Sequence, residues 1–217
     1  MNQHHKGLLA AAGIAAALLI AGCASLPAPD ELDRQALAMI KASFREQGIA
    51  RLDRLDQDLG QKACSSDKAP ADAVARQIET ESMATVRWPA GGQYIGDWRE
   101  GEKLAQSGRG MTWTDGSAAT SANGGQCYNC HQIGPQELSF GTIGPSLYNY
   151  GKLRGVKDVA DPASAAIVQY TWGKLWNSKA YAACSNMPRF GHAKLLDEQQ
   201  IRHVMALLLD PKSAVNQ

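Results

Sequence analysis

Five consecutive residues, Cys127-Tyr128-Asn129-Cys130-His131, carry the clearest chemical signal in the sequence. Two cysteines separated by two residues and followed by histidine are typical of the attachment site of a c-type haem. Each thiol would form a thioether bond to a vinyl group of the porphyrin, and the imidazole would bind the iron. A zinc site would need further Cys or His residues at similar spacing, which the sequence lacks. The spacing therefore predicts one covalently attached haem c.

The second axial ligand of the iron must come from elsewhere in the chain. The candidates after the motif are Met187, Met205, His192, His203 and Cys184. Met205 falls on the apolar face of a predicted helix and suits the core, whereas His203 falls on the opposite, wetter face. Met187 precedes a proline that disfavours helix, so a loop can present its thioether to the iron. We favour Met187, with His192 second, and filled axial positions favour electron transfer over oxygen or peroxide chemistry.

The segment after the motif offers a partner for the proximal imidazole. A histidine that binds haem iron usually donates its other ring proton to a carbonyl group, which fixes the orientation of the ring. Gly144-Pro145-Ser146-Leu147 gives a rigid, extended backbone at a suitable place in the chain. We expect the carbonyl group of Pro145 to accept this proton.

Composition limits the remaining possibilities. The chain has 217 residues and a formal net charge of +1, which fits one globular domain with an extension and argues against a nucleic-acid partner. The remaining cysteines have different contexts. Cys23 ends an apolar run, whereas Cys64 and Cys184 form an even pair that an exported protein would keep as a disulfide.

The N-terminus is typical of an export signal. Residues 1–22 have a short polar start, an apolar stretch and small residues before Cys23. Ile20 to Cys23 resembles a bacterial lipobox, which implies cleavage before Cys23 and a lipid anchor on its thiol. The alternative is an ordinary signal peptide cut near Ala24. We expect a periplasmic, membrane-anchored lipoprotein, a location in which haem attachment and disulfides are both possible.

Hydrophobic periodicity and capping residues predict an all-α protein. The expected helices cover 30–47, 49–59, 71–83, 97–107, 161–176 and 197–209. Leu32, Ala36, Met39, Ile40 and Phe44 recur on one face of the first helix, which either covers the domain or docks a partner subunit. Tyr170 points inward in the helix over 161–176. Gly101 would let the last helix cross closely. Residues 112–125 are expected to form a surface loop.

Several segments together resemble SoxX, the mono-haem subunit of the SoxAX cytochrome of bacterial sulfur oxidation. They are the haem motif, Ile143 to Leu147, Tyr150 to Lys152, Cys184 to Gly191 and the tail from Leu207 to Asn216. The resemblance implies a class I cytochrome c fold with a helical N-terminal extension, and His131 and Met187 as axial ligands. It also implies a SoxA-type partner subunit, a SoxYZ-type carrier and a small electron-acceptor cytochrome.

The resemblance implies that this chain is the non-catalytic electron-transfer subunit of a thiosulfate-oxidising L-cysteine S-thiosulfotransferase. The predicted divisions are a signal peptide over 1–22, a tether and helical extension over 23–95, and a haem domain over 96–217. Three alternatives remain: a free-standing respiratory lipoprotein cytochrome, a haem gas sensor that releases Met187, and a catalytic role for an unpaired Cys184.

Overall fold

The computed structural model describes residues 28–115 and 123–217. Within these ranges the protein consists of helices and turns, with one isolated bridge between Gln47 and Ala50, so the all-α prediction is confirmed. The chain divides into two compact units, Met1–Phe44 and Arg45–Gln217. The signal peptide and Cys23 lie outside the described residues, as does part of the predicted loop over 112–125.

Seven α-helices are described. They are α1 Pro29–Ser43, α2 Leu59–Cys64, α3 Asp72–Ala84, α4 Trp98–Gln106, α5 Tyr150–Leu153, α6 Ala165–Trp176 and α7 Glu198–Leu209. Short 3₁₀ turns lie between them, at Leu52–Leu55, Ala90–Gly92, Cys127–Asn129, Pro162–Ser164 and Ser178–Ala180.

Helix α1 belongs to the first unit. It begins with Pro29 at a position that favours proline, and acidic residues fill its first turn. Leu32, Met39 and Ile40, which the sequence places on one face of this helix, are exposed, and no residue of α1 is buried.

The predicted helix over 49–59 is also wrong. The chain forms only the 3₁₀ turn Leu52–Leu55, and α2 begins where the predicted helix should end. The reason is a capping box: Asp58 Oδ1 accepts a hydrogen bond from Gln61 N–H at 2.7 Å, and Gln61 Oε1 accepts one from Asp58 N–H at 2.8 Å. This reciprocal pair satisfies two free backbone donors and sets the helix start at Leu59.

The second unit is built around the crossing of α4 and α7. Asp97 caps α4, and Asp197 with Gln200 forms a capping box on α7, as the sequence predicts. Gly101 lies against the backbone of His203, and a Cβ at this position would overlap the His203 carbonyl group. The predicted close crossing at Gly101 is therefore confirmed.

Helix α6 completes the core of this unit. Trp172 and Leu175 are buried with Ile201 and Met205 of α7. Tyr170, predicted to point inward, is 41% exposed, because the buried face of α6 runs through Val168, Thr171, Trp172, Leu175 and Trp176. The indole N–H of Trp172 donates to Arg87 O at 2.8 Å and ties the segment after α3 to this core.

Candidate haem site

The haem motif forms one compact turn. Gln126 adopts a left-handed conformation with φ of 49°, and Cys127–Asn129 form a 3₁₀ turn. The amide of Cys130 donates to Cys127 O at 3.2 Å, and the amide of His131 donates to the same oxygen at 2.9 Å. Both cysteines carry free thiols. The turn thus brings two thiols and an imidazole into one short stretch of backbone.

Helix α4 holds the entry to this turn. Gly125 N–H donates to Leu104 O at 2.7 Å, and Gln126 N–H donates to Ser107 O at 3.1 Å. These carbonyl groups belong to the last turn and the end of α4, where backbone acceptors lack partners within the helix. Since α4 is fixed by its crossing with α7, the motif is anchored to the main core.

The segment over 141–147 runs beside the motif. Its backbone donors pair with motif carbonyl groups: Gly141 N to Tyr128 O at 2.8 Å, Gly144 N to Cys130 O at 2.8 Å and Leu147 N to Gln132 O at 2.7 Å. The His131 ring lies directly on Gly144, and a Cβ at that position would overlap the ring. Glycine is therefore required where the imidazole packs on the backbone.

The orientation of His131 follows from its hydrogen bond. Nδ1 lies 2.7 Å from the carbonyl oxygen of Pro145, the partner expected from the sequence. A carbonyl oxygen can only accept, so Nδ1 carries the proton, and in the neutral imidazole Nε2 then has the lone pair. An imidazole held in this way can offer Nε2 to a metal.

One of the two thiols, that of Cys127, lies beside a small core cluster. Cys127 and Tyr128 pack against buried Ala105, Ile133 and Leu207. Burial raises the pKa of the Cys127 thiol to about 12, so this group is neutral at physiological pH. Within 28–115 and 123–217, no group of three or more His, Cys, Asp or Glu residues could hold a metal ion.

Met187 lies in the loop between the Ser178–Ala180 turn and α7. Its side chain is partly buried against the main core. Ser178 Oγ donates to Met187 O at 2.6 Å, and Met187 N–H donates to Ser185 Oγ at 3.3 Å. These bonds fix the backbone that carries the thioether.

The other candidate ligands have different surroundings. Met205 is fully buried in the core, and His192 is exposed. The sequence predicts a solvated His203, but this side chain is partly buried, and its Nδ1 accepts a hydrogen bond from Asp97 N–H at 2.8 Å. It thereby helps to hold the start of α4.

A disulfide joins the Met187 loop to α2. Cys64 and Cys184 are bonded, with their Cα atoms 5.4 Å apart. Arg189 Nη1 donates to Asp58 Oδ2 at 2.8 Å, and Lys179 Nζ donates to Ala183 O at 3.0 Å. The sequence indicates the pairing of the two cysteines but not these polar contacts. The Asp-x-x-Gln spacing at Asp58 indicates the helix cap, whereas no sequence pattern indicates the contact that Lys179 makes.

The structure thus forms two groups of predicted site residues. Cys127, Cys130, His131 and Pro145 lie together at the motif, and Met187 lies with Cys184 and Cys64 at the disulfide. The two groups adjoin neighbouring core clusters, and the side chain of Leu147 packs against both clusters.

Comparison with known proteins identifies a relative of this chain. In the parts of the chain that the structure describes, no helix is long and apolar enough to cross a bilayer. No protein-family model matches the sequence. Over 162 residues the chain is 36% identical to an uncharacterized lipoprotein of Aquifex aeolicus strain VF5, covering 74% of this chain and 73% of the relative. The chain therefore belongs to the same protein family as this Aquifex lipoprotein.

Proposed function

We propose that this protein is a lipid-anchored c-type cytochrome, in which Cys127 and Cys130 bind one haem covalently and His131 is an axial ligand. The observation that carries the proposal is the His131 Nδ1 contact with Pro145 O at 2.7 Å, next to two free thiols on one turn. The chain thus supplies two attachment sites and an oriented ligand. A haem bound there would accept and release single electrons.

The fold around the motif supports a class I cytochrome c domain, as the SoxX resemblance implies. Helix α4 precedes the motif in sequence, holds its first residues by backbone hydrogen bonds, and crosses the last helix α7 at Gly101. The chain between them includes the Gly144-Pro145 segment and the Met187 loop. All these residues belong to the unit Arg45–Gln217.

Met187 is the proposed distal ligand. Its carbonyl and amide groups are hydrogen-bonded, so the loop can hold the thioether in place. Met205 contributes to the core, and His203 Nδ1 is engaged by Asp97 N–H. His131 and Met187 would together hold the iron and would leave no position for a substrate, so the haem would supply electron transfer and not catalysis.

We further propose that the protein serves as the electron-transfer subunit of a SoxAX-type complex. The support is the resemblance of the motif, the Ile143 to Leu147 segment and the Cys184 to Gly191 loop to SoxX. A SoxA-type subunit would carry out the sulfur chemistry on a SoxYZ-type carrier. This chain would pass electrons to a small acceptor cytochrome, in the periplasm.

The relative from Aquifex supports the lipid anchor. That protein is described as a lipoprotein, and this chain has Cys23 after a lipobox-like sequence. We propose that Cys23 carries the lipid and that the mature protein begins there. Mass spectrometry of the N-terminal peptide would show a diacylglyceryl group, and Cys23→Ser would release the protein from the membrane fraction.

Covalent haem is the first property to test. The exported protein should be coloured, and its haem should stay with the polypeptide after denaturation. The variants Cys127→Ser and Cys130→Ser should each retain at most one thioether bond, while Cys64→Ser/Cys184→Ser should retain both. A colourless parent protein with two reactive thiols at the motif would rule out the proposal.

The distal ligand has a separate test. Replacing Met187 with Ala should abolish the weak red absorption band that a thioether bond to ferric iron produces, while Met205→Leu should preserve it. Met205 is a suitable control because it is a methionine of the same domain that lies in the core. An unchanged band in Met187→Ala would assign the role to another residue.

Two experiments test the proposed membership of a SoxAX-type complex: co-purification, and reduction in the presence of thiosulfate. A SoxAX-type subunit should co-purify with a second cytochrome and should be reduced when thiosulfate and the carrier are added to the complex. The competing proposal is a free-standing respiratory lipoprotein cytochrome. It predicts a monomeric cytochrome that thiosulfate leaves oxidised, and that respiratory electron donors reduce.

A further inference from the structure

A pocket of about 380 Å³ opens beside the disulfide. Both bonded cysteines line it, together with Met187, Asn186, Lys179 and Arg189. Cys184 is exposed, whereas Cys64 is half-buried at the end of α2. An outside molecule can therefore reach this disulfide from the pocket, and the sulfur of the exposed residue is the more open one.

The charged residues that line the pocket are both cations. Lys179 is only 9% exposed, and its ammonium group donates to a neutral acceptor, Ala183 O. Arg189 is paired with Asp58, which is not among the lining residues. Glu79 lies nearby and accepts a hydrogen bond from Ala183 N–H at 3.2 Å. The pocket lining thus presents two cations next to an accessible disulfide, while the carboxylates of Asp58 and Glu79 lie outside the lining and Asp58 also interacts electrostatically with Lys179.

We propose that this pocket is a thiol–disulfide exchange site that selects anionic thiols. Exchange begins when a thiolate attacks one sulfur of a disulfide, so its rate depends on access and on the local charge. A cationic pocket raises the local concentration of an anionic thiol and also stabilises the thiolate that leaves. Access, charge and the disulfide coincide in this one pocket.

The chemistry balances with two external thiols. The first thiolate attacks Sγ of Cys184, a mixed disulfide forms, and the bond between Cys184 and Cys64 breaks. Cys64 leaves as a thiolate and takes a proton from water; its Sγ lies 3.6 Å from Ala183 O, which can accept the new S–H. A second thiolate attacks the external sulfur of the mixed disulfide and releases Cys184. The protein gains two electrons, and the two thiols become one small disulfide.

Exchange at this site would remove the covalent tie between α2 and the loop that carries Met187. The loop would then depend on the Arg189–Asp58 ion pair and on the Ser178 bond to Met187 O. A link between this exchange and ligation of the iron by Met187 rests on the proposed function. The exchange reaction itself does not.

The test compares three small thiols on the folded, exported protein. 2-Mercaptoethanesulfonate carries an anionic sulfonate group, 2-mercaptoethanol an uncharged hydroxyl group, and cysteamine a cationic ammonium group. Rates are measured at equal thiolate concentration by alkylation and mass spectrometry of the peptides that contain Cys64 and Cys184. We expect the anionic thiol to react about tenfold faster than the cationic one at low salt, and the ratio to approach one in 1 M salt.

A matched pair of variants identifies the charges responsible. Lys179→Gln should reduce the anionic preference severalfold, whereas Lys62→Gln, an exposed lysine of α2 outside the pocket lining, should preserve it. If Lys179→Gln does not fold, the salt dependence of the parent still decides. Equal rates for the three thiols, or a disulfide that resists all of them until the protein is denatured, would overturn the proposal.

The absorption spectrum, recorded in parallel, separates this proposal from the one on the haem. Loss of the red band together with reduction of the disulfide would support the link to Met187. Charge-selective reduction with an unchanged band would support the exchange site and disprove the link. Charge-selective reduction in a protein that carries no haem would support the exchange site and disprove the cytochrome.

Discussion

At the scale of single residues, Gly144 determines where the His131 imidazole can lie. The His131 ring packs on its Cα, and the Pro145 carbonyl oxygen then meets Nδ1 at 2.7 Å. A residue with a side chain would push the ring away and break that hydrogen bond. The missing side chain of Gly144 is therefore part of what sets the orientation of the His131 ring.

We predict that Gly144→Ala destabilises the protein and weakens binding of the proposed haem iron by His131. Overpacking at a close contact typically costs about 1–3 kcal/mol of unfolding free energy. Gly134→Ala is the control, because its new methyl group would meet only the flexible Tyr128 hydroxyl, at 3.1 Å. Urea unfolding of both variants measures the difference, and equal stability of the two would contradict the proposed packing.

Asp58 has two roles that can be separated. Its Oδ1 caps α2, and its Oδ2 binds Arg189 in the Met187 loop. Burial alone would raise the pKa of Asp58, but the Gln61 N–H hydrogen bond and the Arg189 guanidinium outweigh burial, and the pKa is lowered. A lowered pKa in the folded state means that the charge stabilises the fold above about pH 4 and that this contribution is lost in acid.

We therefore predict that Asp58→Asn lowers the unfolding free energy at pH 7 by about 0.5 kcal/mol, since the ion pair is partly exposed. The difference from the parent should shrink as the pH falls below about 4. Asparagine keeps the cap, whereas Asp58→Ala also loses it and should cost about 1 kcal/mol more. Denaturant titrations at pH 7 and pH 3 measure these values; a gap that widens in acid would refute the assignment.

From the sequence alone, we could predict contacts between residues that lie close together in the chain. His131 and Pro145 are 14 positions apart and joined by a regular backbone pairing, so a spacing argument reaches both. Lys179 and Glu79 act through contacts with the backbone of Ala183. No local pattern signals such contacts, because they depend on how distant segments pack.

At the scale of secondary-structure elements, caps were better guides than apolar periodicity. The helices α4 and α7 begin after Asp97 and Asp197, as their capping residues indicate. The periodic run over 49–59 failed because Asp58 and Gln61 start a helix within it. The face of α6 was misjudged at Tyr170, since a broad aromatic residue fits either an exposed or a buried face, and only the position of α7 decides.

The crossing of α4 and α7 gives an element-scale prediction. A methyl group on Gly101 would overlap the His203 carbonyl group, so Gly101→Ala must separate the two helices. We expect a loss of about 1–3 kcal/mol in unfolding free energy, although alanine favours helix intrinsically. Lys103→Ala, on the exposed side of the same helix, should leave the thermal midpoint nearly unchanged.

A second readout links this crossing to the motif. Because α4 holds Gly125 and Gln126 by backbone hydrogen bonds, Gly101→Ala should also increase amide hydrogen exchange at these two residues. Faster exchange in α4 alone, with the motif protected as in the parent, would show that the motif is held by other contacts.

At the scale of the whole molecule, the unit Arg45–Gln217 combines a hydrophobic core with a disulfide bond between distant parts of the chain. Trp172, Ile201 and Met205 fill the centre, while the chain before α4 is joined to the end of the domain through Cys64 and Cys184. The sequence predicted helices and a cysteine pair. It did not predict that residues from 45 onward would belong to the same compact unit as the motif, because that grouping arises from long-range contacts.

The disulfide is therefore expected to contribute to the stability of the whole unit. It joins cysteines 120 residues apart, so in the unfolded chain it closes a loop that contains the motif, α4 and α6. Restricting such a loop stabilises the folded state by about 2–4 kcal/mol. We predict a loss of this size in Cys64→Ser/Cys184→Ser, measured as a lower denaturant midpoint. Reducing the parent with excess dithiothreitol should bring it to the same midpoint, whereas coincident unfolding of oxidised parent and double variant would show that packing alone holds α2 in place.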